Sequence, residues 1–334
     1  MTGPTPSDPL DARARALAER GAWSELCAFL AEDEGALLDA RTGLATLRGE
    51  ALLRCGRMRE ASDWLGRTVD AATRRGDRSA TRRATHLLGA ARLELGDLPG
   101  AEQATSRALE LGREDGDDLL VARATNNLGI LANMHGRREA ALALYALAVP
   151  AYQRLGSTRG LAEAYHNMAI SYRDMEQLSN AEEYERRAEE YARQASDARL
   201  VALARIGRAE LALRRGDAKL CVASARHAAR DIEAAGDPIR AADALRLAGV
   251  ASHRIGDFVE ARRLFDRALD VLRRNGGVFN EAETLRARAE LFAASGDVAA
   301  ARQDAATALA ILTRLGVDDA SAEMRRWIEG LEER

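Results

Sequence analysis

A glycine that recurs with a 40-residue period constrains the fold of this 334-residue chain more than any other feature. One column of this repeat holds glycine at six of its seven positions. Its members are Gly56, Gly96, Gly136, Glu176, Gly216, Gly256 and Gly296. A second glycine column follows half a period later, with Ser196 as its exception in the same unit as Glu176. Self-similarity at a period of about 20–50 residues is typical of solenoids and other repeat architectures. The sequence therefore predicts seven tandem units.

Each unit contains two segments of about 16–18 residues in which apolar residues recur at helical spacing. In one of them, the apolar residues are Leu87, Leu88, Ala91 and Leu95. They follow the period of about 3.6 residues that is typical of an amphipathic helix. Only 4% of the residues are aromatic, which disfavours a β-sheet protein because strands are enriched in aromatic residues. The predicted fold is all-α, with two helices in each unit. Pro150 is expected to kink the helix that contains it or to cost about 3 kcal/mol, unless the packing absorbs it.

The third unit carries residues that are typical of a tetratricopeptide repeat. When Gly129 is aligned with the eighth position of that repeat, consensus residue types fall on Leu128, Gly136, Ala141, Tyr145 and Ala148. The chain therefore resembles tetratricopeptide repeat proteins over about residues 38–316. Its 40-residue period is similar to that of kinesin light chains, the LGN adaptor and Rap-type quorum-sensing receptors. The resemblance implies a right-handed α-α superhelix of about seven helix pairs that serves as an interaction module.

Both ends of the chain are predicted to differ from the repeats. Residues 1–9 are polar and Pro-rich and are expected to be a disordered tail, followed by a divergent capping helix pair over residues 10–37. Residues 38–316 are predicted to hold the seven repeats, and residues 317–334 a capping helix. Caps are needed because a terminal repeat otherwise exposes the apolar face that its neighbour would cover.

Composition and motifs argue against several classes of protein. The net charge of −3 gives no general attraction to nucleic acid or to anionic lipid. We find no apolar run long enough to span a membrane and no signal peptide, and therefore expect a cytoplasmic protein. The three cysteines are scattered and suggest neither a disulfide framework nor a metal site. Without a phosphate-binding loop or a catalytic serine motif, we expect no enzyme activity, no catalytic residues, no metal and no cofactor.

The candidate binding site lies on the first helix of each unit, which lines the concave face in a right-handed stack of this kind. Residues at i, i+3, i+4 and i+7 share one face of that helix. In units two to four the polar residues of this stripe are Arg83, His86, Arg123, Asn126, Asn127, Asn133, His166, Asn167 and Arg173. We expect the arginines to contact acidic groups of a bound segment.

Asn127 and Asn167 are the most informative members of this stripe. They stand one full period apart in the same column, and asparagine is unfavourable inside a helix because its amide competes for backbone hydrogen bonds. A planar amide can donate and accept at once, which suits the backbone of an extended peptide. In similar peptide-binding repeats, asparagine at this position has that role. Alternatively, both amides hydrogen-bond the neighbouring helix and only set the register of the repeats.

The predicted function is that of a non-catalytic scaffold or adaptor that binds a protein or peptide segment in this groove. The main alternative is a regulatory sensor, in which a small peptide or metabolite changes the curvature of the solenoid and controls a partner protein. Homo-oligomerisation through the capping helices and RNA reading by repeats are further alternatives, although the charge favours neither a nucleic acid nor a membrane partner. Glu176 and Ser196 leave two interpretations of the fourth unit, a hinge or simple drift of the repeat.

Overall fold

The computed structural model describes residues 9–31 and 34–332, and over these residues it contains helices and no strand. The predicted all-α class is confirmed. The disordered tail predicted for residues 1–9 falls, except for its last residue, outside the described residues. The helices are α1 (Pro9–Glu19), α2 (Trp23–Phe29), α3 (Glu34–Ala40), α4 (Thr42–Arg54), α5 (Met58–Arg74), α6 (Arg78–Leu95), α7 (Leu98–Asp115), α8 (Asp118–Met134), α9 (Arg138–Arg154), α10 (Thr158–Asp174), α11 (Leu178–Gln194), α12 (Ala198–Arg214), α13 (Ala218–Ala234), α14 (Pro238–Arg254), α15 (Phe258–Asn275), α16 (Val278–Ala294), α17 (Val298–Arg314) and α18 (Asp318–Glu332).

Helices α4 to α17 form the seven helix pairs that the 40-residue period predicts. Before them lie three short helices, α1 to α3, where the sequence predicted a pair, and α18 follows them. Leu26 of α2 and Leu37 of α3 are buried and belong to the same apolar core as Leu52 of α4. The short N-terminal helices therefore contribute to the core of the first pair, and the domain boundaries proposed for the caps stay a prediction.

The chain comprises two compact units, Met1–Leu120 and Val121–Arg334, which we call the N-terminal and C-terminal units. The core of the N-terminal unit includes Trp64 and Leu65. A large core in the C-terminal unit is centred on helices α12 to α15 and includes Ile232. None of the described helices is both long enough and apolar enough to cross a membrane.

The glycines of the two columns end helices in turns that need a positive φ. Gly96, which ends α6, has a φ of 79°, a left-handed conformation that glycine adopts without the steric cost of a side chain. Glu176 and Ser196 keep this geometry without glycine, with φ of 58° and 52°. The turns of the fourth helix pair therefore have the conformation of the other turns, at a higher steric cost.

A column of small residues lets the two helices of a pair approach closely. A methyl group on Gly249 of α14 would lie 2.6 Å from Cε1 of Phe265 on α15. On Gly129 of α8, a methyl group would overlap the ring of Tyr145 on α9. Tyr145 and Phe265 are both fully buried. At these two positions, glycine therefore makes room for a buried ring from the partner helix.

In the C-terminal unit the first helices of successive pairs lie against each other. Helix α10 packs on α12, α12 on α14, and α14 on α16. Among the described residues, the second helices α9, α11, α13, α15 and α17 show no packing of that extent on one another. Because neighbouring pairs approach most closely along their first helices, these helices form the inner side of the C-terminal unit. We call the side formed by α8, α10, α12, α14 and α16 the inner face.

Helix α9 runs from Arg138 to Arg154 through Pro150, which does not end it. Proline lacks the N–H group that would bond the carbonyl of Ala146, four residues earlier. Both Pro150 and Ala146 are exposed, so water can hydrogen-bond that carbonyl. The helix therefore tolerates the proline because the lost bond lies on its solvent side.

Candidate binding groove

The predicted site residues are divided between the two units of the chain. Arg83 and His86 lie on α6 in the N-terminal unit, and the other residues lie on α8 and α10 in the C-terminal unit. The Arg83 side chain is exposed, with Nη2 3.5 Å from Oε2 of Glu50. His86 is half-buried. The predicted residues of α8 and α10 therefore lie together in one compact unit.

Two of the predicted asparagines bond to each other across the inner face. Nδ2 of Asn167 on α10 donates a hydrogen bond to Oδ1 of Asn126 on α8 at 3.3 Å. Asn126 is only 3% exposed, so its expected place on an exposed stripe is wrong. Its side chain turns toward the neighbouring first helix, where the amide of Asn167 replaces the water that it loses. This hydrogen bond is the contact with the neighbouring helix that the alternative interpretation predicted for Asn167, and the role of Asn167 in binding stays a prediction.

Asn127 and Arg123 lie one turn apart on α8 and differ from that pair. Asn127 is half-buried, and its side-chain amide makes no hydrogen bond with any described residue. Arg123 is exposed and forms no salt bridge with a described carboxylate. Both side chains therefore keep unused hydrogen-bonding capacity on the inner face.

Asn133, in the last turn of α8, is also tied to α10. Oγ of Ser171 donates a hydrogen bond to Oδ1 of Asn133 at 2.8 Å. Ser171 is fully buried, so this bond holds the C-terminal parts of α8 and α10 together. Tyr145 of α9 is buried beside it, and burial raises the pKa of its phenol, which a hydrogen bond with Ser171 opposes.

His166 is joined to a buried carboxylate that the sequence analysis did not single out. Nδ1 of His166 lies 3.0 Å from each carboxylate oxygen of Glu185 on α11. Glu185 is 2% exposed. Burial raises the pKa of the Glu185 carboxyl, while the imidazole of His166 and the nearby Arg173 and Arg208 oppose that rise. His166 is therefore held by the packing of α10 against α11, with one ring nitrogen already occupied.

The sequence contains a signal for Glu185. It stands in the column that holds Tyr145 in the preceding unit and Phe265 in the sixth, so an acidic residue replaces a buried ring. The structure gives it space through Gly207 of α12, where a side chain would overlap the Glu185 carboxylate. An acidic residue in an apolar column, with a glycine in the next unit, indicates a buried polar pair.

The positive charge of Arg173, the last predicted site residue, is already paired with protein carboxylates. Its Nε and Nη2 donate to Oδ1 of Asp174 at 3.0 and 2.9 Å, and its Nη1 forms a salt bridge with Glu210 on α12. The Arg173 side chain is 17% exposed. A ligand carboxylate would have to compete with two protein carboxylates for this guanidinium group.

The inner faces of α14 and α16 carry arginines that are paired in the same way. Nη2 of Arg246 lies 2.7 Å from Oδ1 of Asp243, and Nη2 of Arg286 lies 2.7 Å from Oε2 of Glu283. Each pair spans three residues of one helix, which places both side chains on one face. Unlike Arg173, Arg246 and Arg286, Arg123 lacks a described carboxylate partner.

The free side chains of the inner face are suited to hydrogen bonding. The described residues contain no group of three or more His, Cys, Asp or Glu side chains that could hold a metal ion. The side chains with free capacity are an amide and a guanidinium group. Both recognise backbone and carboxylate groups through hydrogen bonds.

The family model of the tetratricopeptide repeat matches residues 120–194 and 240–314. The match shows tetratricopeptide repeats in these two segments. The two matched segments cover the helix pairs α8–α9, α10–α11, α14–α15 and α16–α17, and the first includes the asparagines of the inner face. No curated protein sequence matches the chain.

Solved structures share this tetratricopeptide α-α solenoid fold. A Rap protein complexed with competence and sporulation factor is 14% identical, with a TM-score of 0.66 and coverage of 96% of this chain and 94% of that one. A Rap conjugation gene regulator of plasmid pLS20 in complex with the Phr peptide is 15% identical, with a TM-score of 0.64 and coverage of 79% and 72%. The APC/C hetero-tetramer Cut9-Hcn1 contains a chain that is 14% identical, with a TM-score of 0.60. That match covers 96% of this chain and 56% of the other. Identities this low show the fold alone.

Proposed function

We propose that this tetratricopeptide repeat protein is a non-catalytic regulatory adaptor that binds an extended peptide segment along α8 and α10. The observation that carries the proposal is Asn127, a half-buried amide on the inner face with no hydrogen bond to a described residue. A polar group that is partly withdrawn from water gains from a ligand that supplies the missing bonds. The backbone of an extended peptide offers both a donor and an acceptor to such an amide.

Arg123 supplies the second contact in this proposal. It lies four residues before Asn127 and therefore on the same face of α8. Its guanidinium group is exposed and has no described carboxylate partner, so a ligand carboxylate would meet no competitor there. The ligand that fits is a peptide with an acidic side chain or a free C-terminal carboxylate about one helical turn from the amide contact.

The remaining predicted residues of the C-terminal unit have supporting roles in this account. Asn126 and Asn167 join α8 to α10, and Asn133 does so one to two turns later through Ser171. Arg173 joins α10 to α12 through Glu210. These bonds hold α8, α10 and α12 together beside Asn127 and Arg123. Contact of the ligand with Arg83, His86 and His166 stays a prediction.

The solved structures support a peptide ligand without naming one. Two Rap proteins with this fold were captured with bound partners, competence and sporulation factor in one and the Phr peptide in the other. At 14% and 15% identity, the transfer of such a role to this chain is part of the proposal. Cytoplasmic location and homo-oligomers through the caps also stay predictions from the sequence.

A peptide display library tests the proposal and does not require the natural partner. The wild-type chain is used to select from random peptides, and the affinity of an enriched peptide is then measured by fluorescence anisotropy. We expect enrichment of peptides with an acidic residue or C-terminus. We expect Asn127→Ala to weaken binding about 10-fold, because one or two hydrogen bonds of about 1 kcal/mol each are lost.

Asn180→Ala is the matched control. Asn180 is an exposed asparagine on the second helix α11, where its amide donates only to Gln177, and its loss should leave affinity unchanged. Selection of no peptide above background would contradict peptide binding. If both variants weaken peptide binding equally, or if neither weakens it, the proposed site on α8 is contradicted.

A further inference from the structure

Two cysteines that are far apart in sequence meet in the N-terminal unit. Cys27 lies on α2, and Cys55 follows the last residue of α4 as its C-cap. The two Sγ atoms are 3.9 Å apart, with the Cys27 thiol donating toward the Cys55 sulfur. The separation of 28 residues gave no sign of this contact. Sulfur atoms in van der Waals contact need to approach by only about 2 Å to reach the length of a disulfide bond.

The two thiols have different surroundings. Cys27 is 4% exposed, and burial, together with the nearby Cys55, raises its pKa to about 12. Cys55 is partly exposed, and the Ser24 hydroxyl lies 3.7 Å from its sulfur. Arg57, two residues after Cys55, adds a positive charge that acts on both sulfurs. Cys55 is therefore the sulfur that a dissolved oxidant can reach, and Cys27 is a protonated neighbour in the core.

We propose that Cys27 and Cys55 form a reversible disulfide when the protein meets a peroxide. The Cys55 thiol loses its proton, and its sulfur attacks one oxygen of hydrogen peroxide. An S–O bond forms, the O–O bond breaks, and the released hydroxide takes up a proton to leave as water. The sulfur of Cys27 then attacks the resulting sulfenic acid. The S–S bond forms, the S–O bond breaks, and the hydroxyl group leaves as water with the proton of Cys27. Two electrons pass from the two sulfurs to the peroxide, and a dithiol reductant reverses the change.

This disulfide would fasten the N-terminal helices to the first helix pair. Helix α2 packs on α4, and the bond would close a loop that contains α3 and all of α4. A crosslink between two segments restricts the unfolded chain more than the folded one. The oxidised protein should therefore keep α2 docked on α4 under conditions that detach it from the reduced protein. The proposal does not depend on the groove of the C-terminal unit.

Cys221 provides an internal control because it is isolated from the other two cysteines. It lies on α13 in the C-terminal unit and is fully buried. Burial raises its pKa to about 12 as well. A general reactivity of buried thiols would therefore consume Cys221 together with Cys27, whereas the proposed reaction spares it.

The test is a thiol count on the 334-residue chain after mild hydrogen peroxide. The treated protein is unfolded in urea, labelled with a maleimide and weighed by intact mass spectrometry. We expect the wild type and Cys221→Ser to lose two reactive thiols and two hydrogen masses, and dithiothreitol to restore both. Oxidation should also raise the midpoint of thermal unfolding of α1 to α5 by about 5 °C.

Cys55→Ser should retain both of its remaining thiols under the same treatment, because Cys27 then has no neighbouring sulfur. A wild-type chain that keeps all three thiols would overturn the proposal. So would stepwise oxygen addition to Cys55 with Cys27 still reactive, or a disulfide found only between two chains. These results come from the wild-type protein and hold even if a cysteine variant fails to fold.

Discussion

Helices α8 and α14 occupy the same place in their repeats but present different chemistry on the inner face. Each carries a glycine that faces a buried ring, Gly129 against Tyr145 and Gly249 against Phe265. On α14 the polar positions hold Asp243 and Arg246, which neutralise each other at 2.7 Å. On α8 the same columns hold Arg123 and Asn126, and Arg123 has no described carboxylate partner.

Exposure on an inner face does not by itself make a binding site. A paired arginine offers a ligand little, because the ligand must replace a carboxylate that is already in place. A single unpaired arginine beside an unbonded amide offers the full gain of new hydrogen bonds. The shared packing makes α14 a reference against which the function of α8 can be tested.

The largest expected effect concerns the packing that the two helices share. Gly129→Leu and Gly249→Leu should each destabilise the protein by about 2–3 kcal/mol, because the new side chain overlaps a buried ring. Urea unfolding monitored by circular dichroism measures both. A large loss of stability at one glycine and none at the other would show that α8 and α14 are not packed alike.

Removing a charged side chain should lower stability more on α14 than on α8. Asp243→Ala leaves Arg246, whose side chain is 20% exposed, without its partner and should cost about 1–2 kcal/mol of unfolding free energy. Arg123→Ala removes no described ion pair and should change stability by less than about 0.5 kcal/mol. Thermal melts of the two variants side by side measure the contrast, and equal losses would mean that Arg123 is structurally engaged.

Glu185 should make stability depend on pH in the fourth helix pair but not in the sixth, where Phe265 occupies the same column. Burial raises the pKa of Glu185 above its ordinary value of 4.5, so the folded protein binds this proton more tightly than the unfolded chain. The contribution of Glu185 to stability is therefore present below about pH 4.5 and is lost as the pH rises through the folded-state pKa.

The measurement is the difference in unfolding free energy between Glu185→Gln and the wild type from pH 4 upward. Glutamine keeps the shape of the side chain and cannot ionise, so the difference should shift in favour of the variant as the pH rises. A difference that stays constant, or that shifts toward the wild type, would show that the His166 pair outweighs the cost of burial.

The smallest expected effect concerns the turns of the fourth helix pair. Ser196→Gly should stabilise the protein by about 0.5–1 kcal/mol, because serine holds a φ of 52° that glycine adopts freely. The matched reverse change, Gly276→Ala after α15, should destabilise by a similar amount, since Gly276 has a φ of 78°. Chemical unfolding curves decide both signs. A destabilising Ser196→Gly would indicate that this turn has a role beyond repeat drift.

Much of the fold is visible in the sequence because it repeats. The two glycine columns mark turns with positive φ, and the small column that includes Gly129 marks close helix approach. The resemblance to tetratricopeptide repeats predicts which helix of each pair faces inward. These features depend on local geometry and on neighbours in the next unit, which a fixed period brings into register.

The partners of individual side chains could not be predicted in the same way. Asn126 bonds Asn167, which is 41 residues away, and not the residue one full period on. Cys27 meets Cys55 through the irregular N-terminal helices, to which the period does not extend. A helical period gives the face of a helix on which a residue lies. Whether its polar group is already satisfied depends on rotamers and on the neighbouring helix.

The most direct test of the central claim is the affinity of a selected peptide for two charge reversals in one repeat. Arg123→Glu changes the unpaired arginine on α8, and Arg154→Glu changes an exposed arginine on α9 that also lacks a described carboxylate partner. We predict a loss of about 30-fold or more for Arg123→Glu and a change within about twofold for Arg154→Glu. Equal effects of the two variants on anisotropy titrations, with unchanged melting, would contradict a peptide site on the inner face of α8.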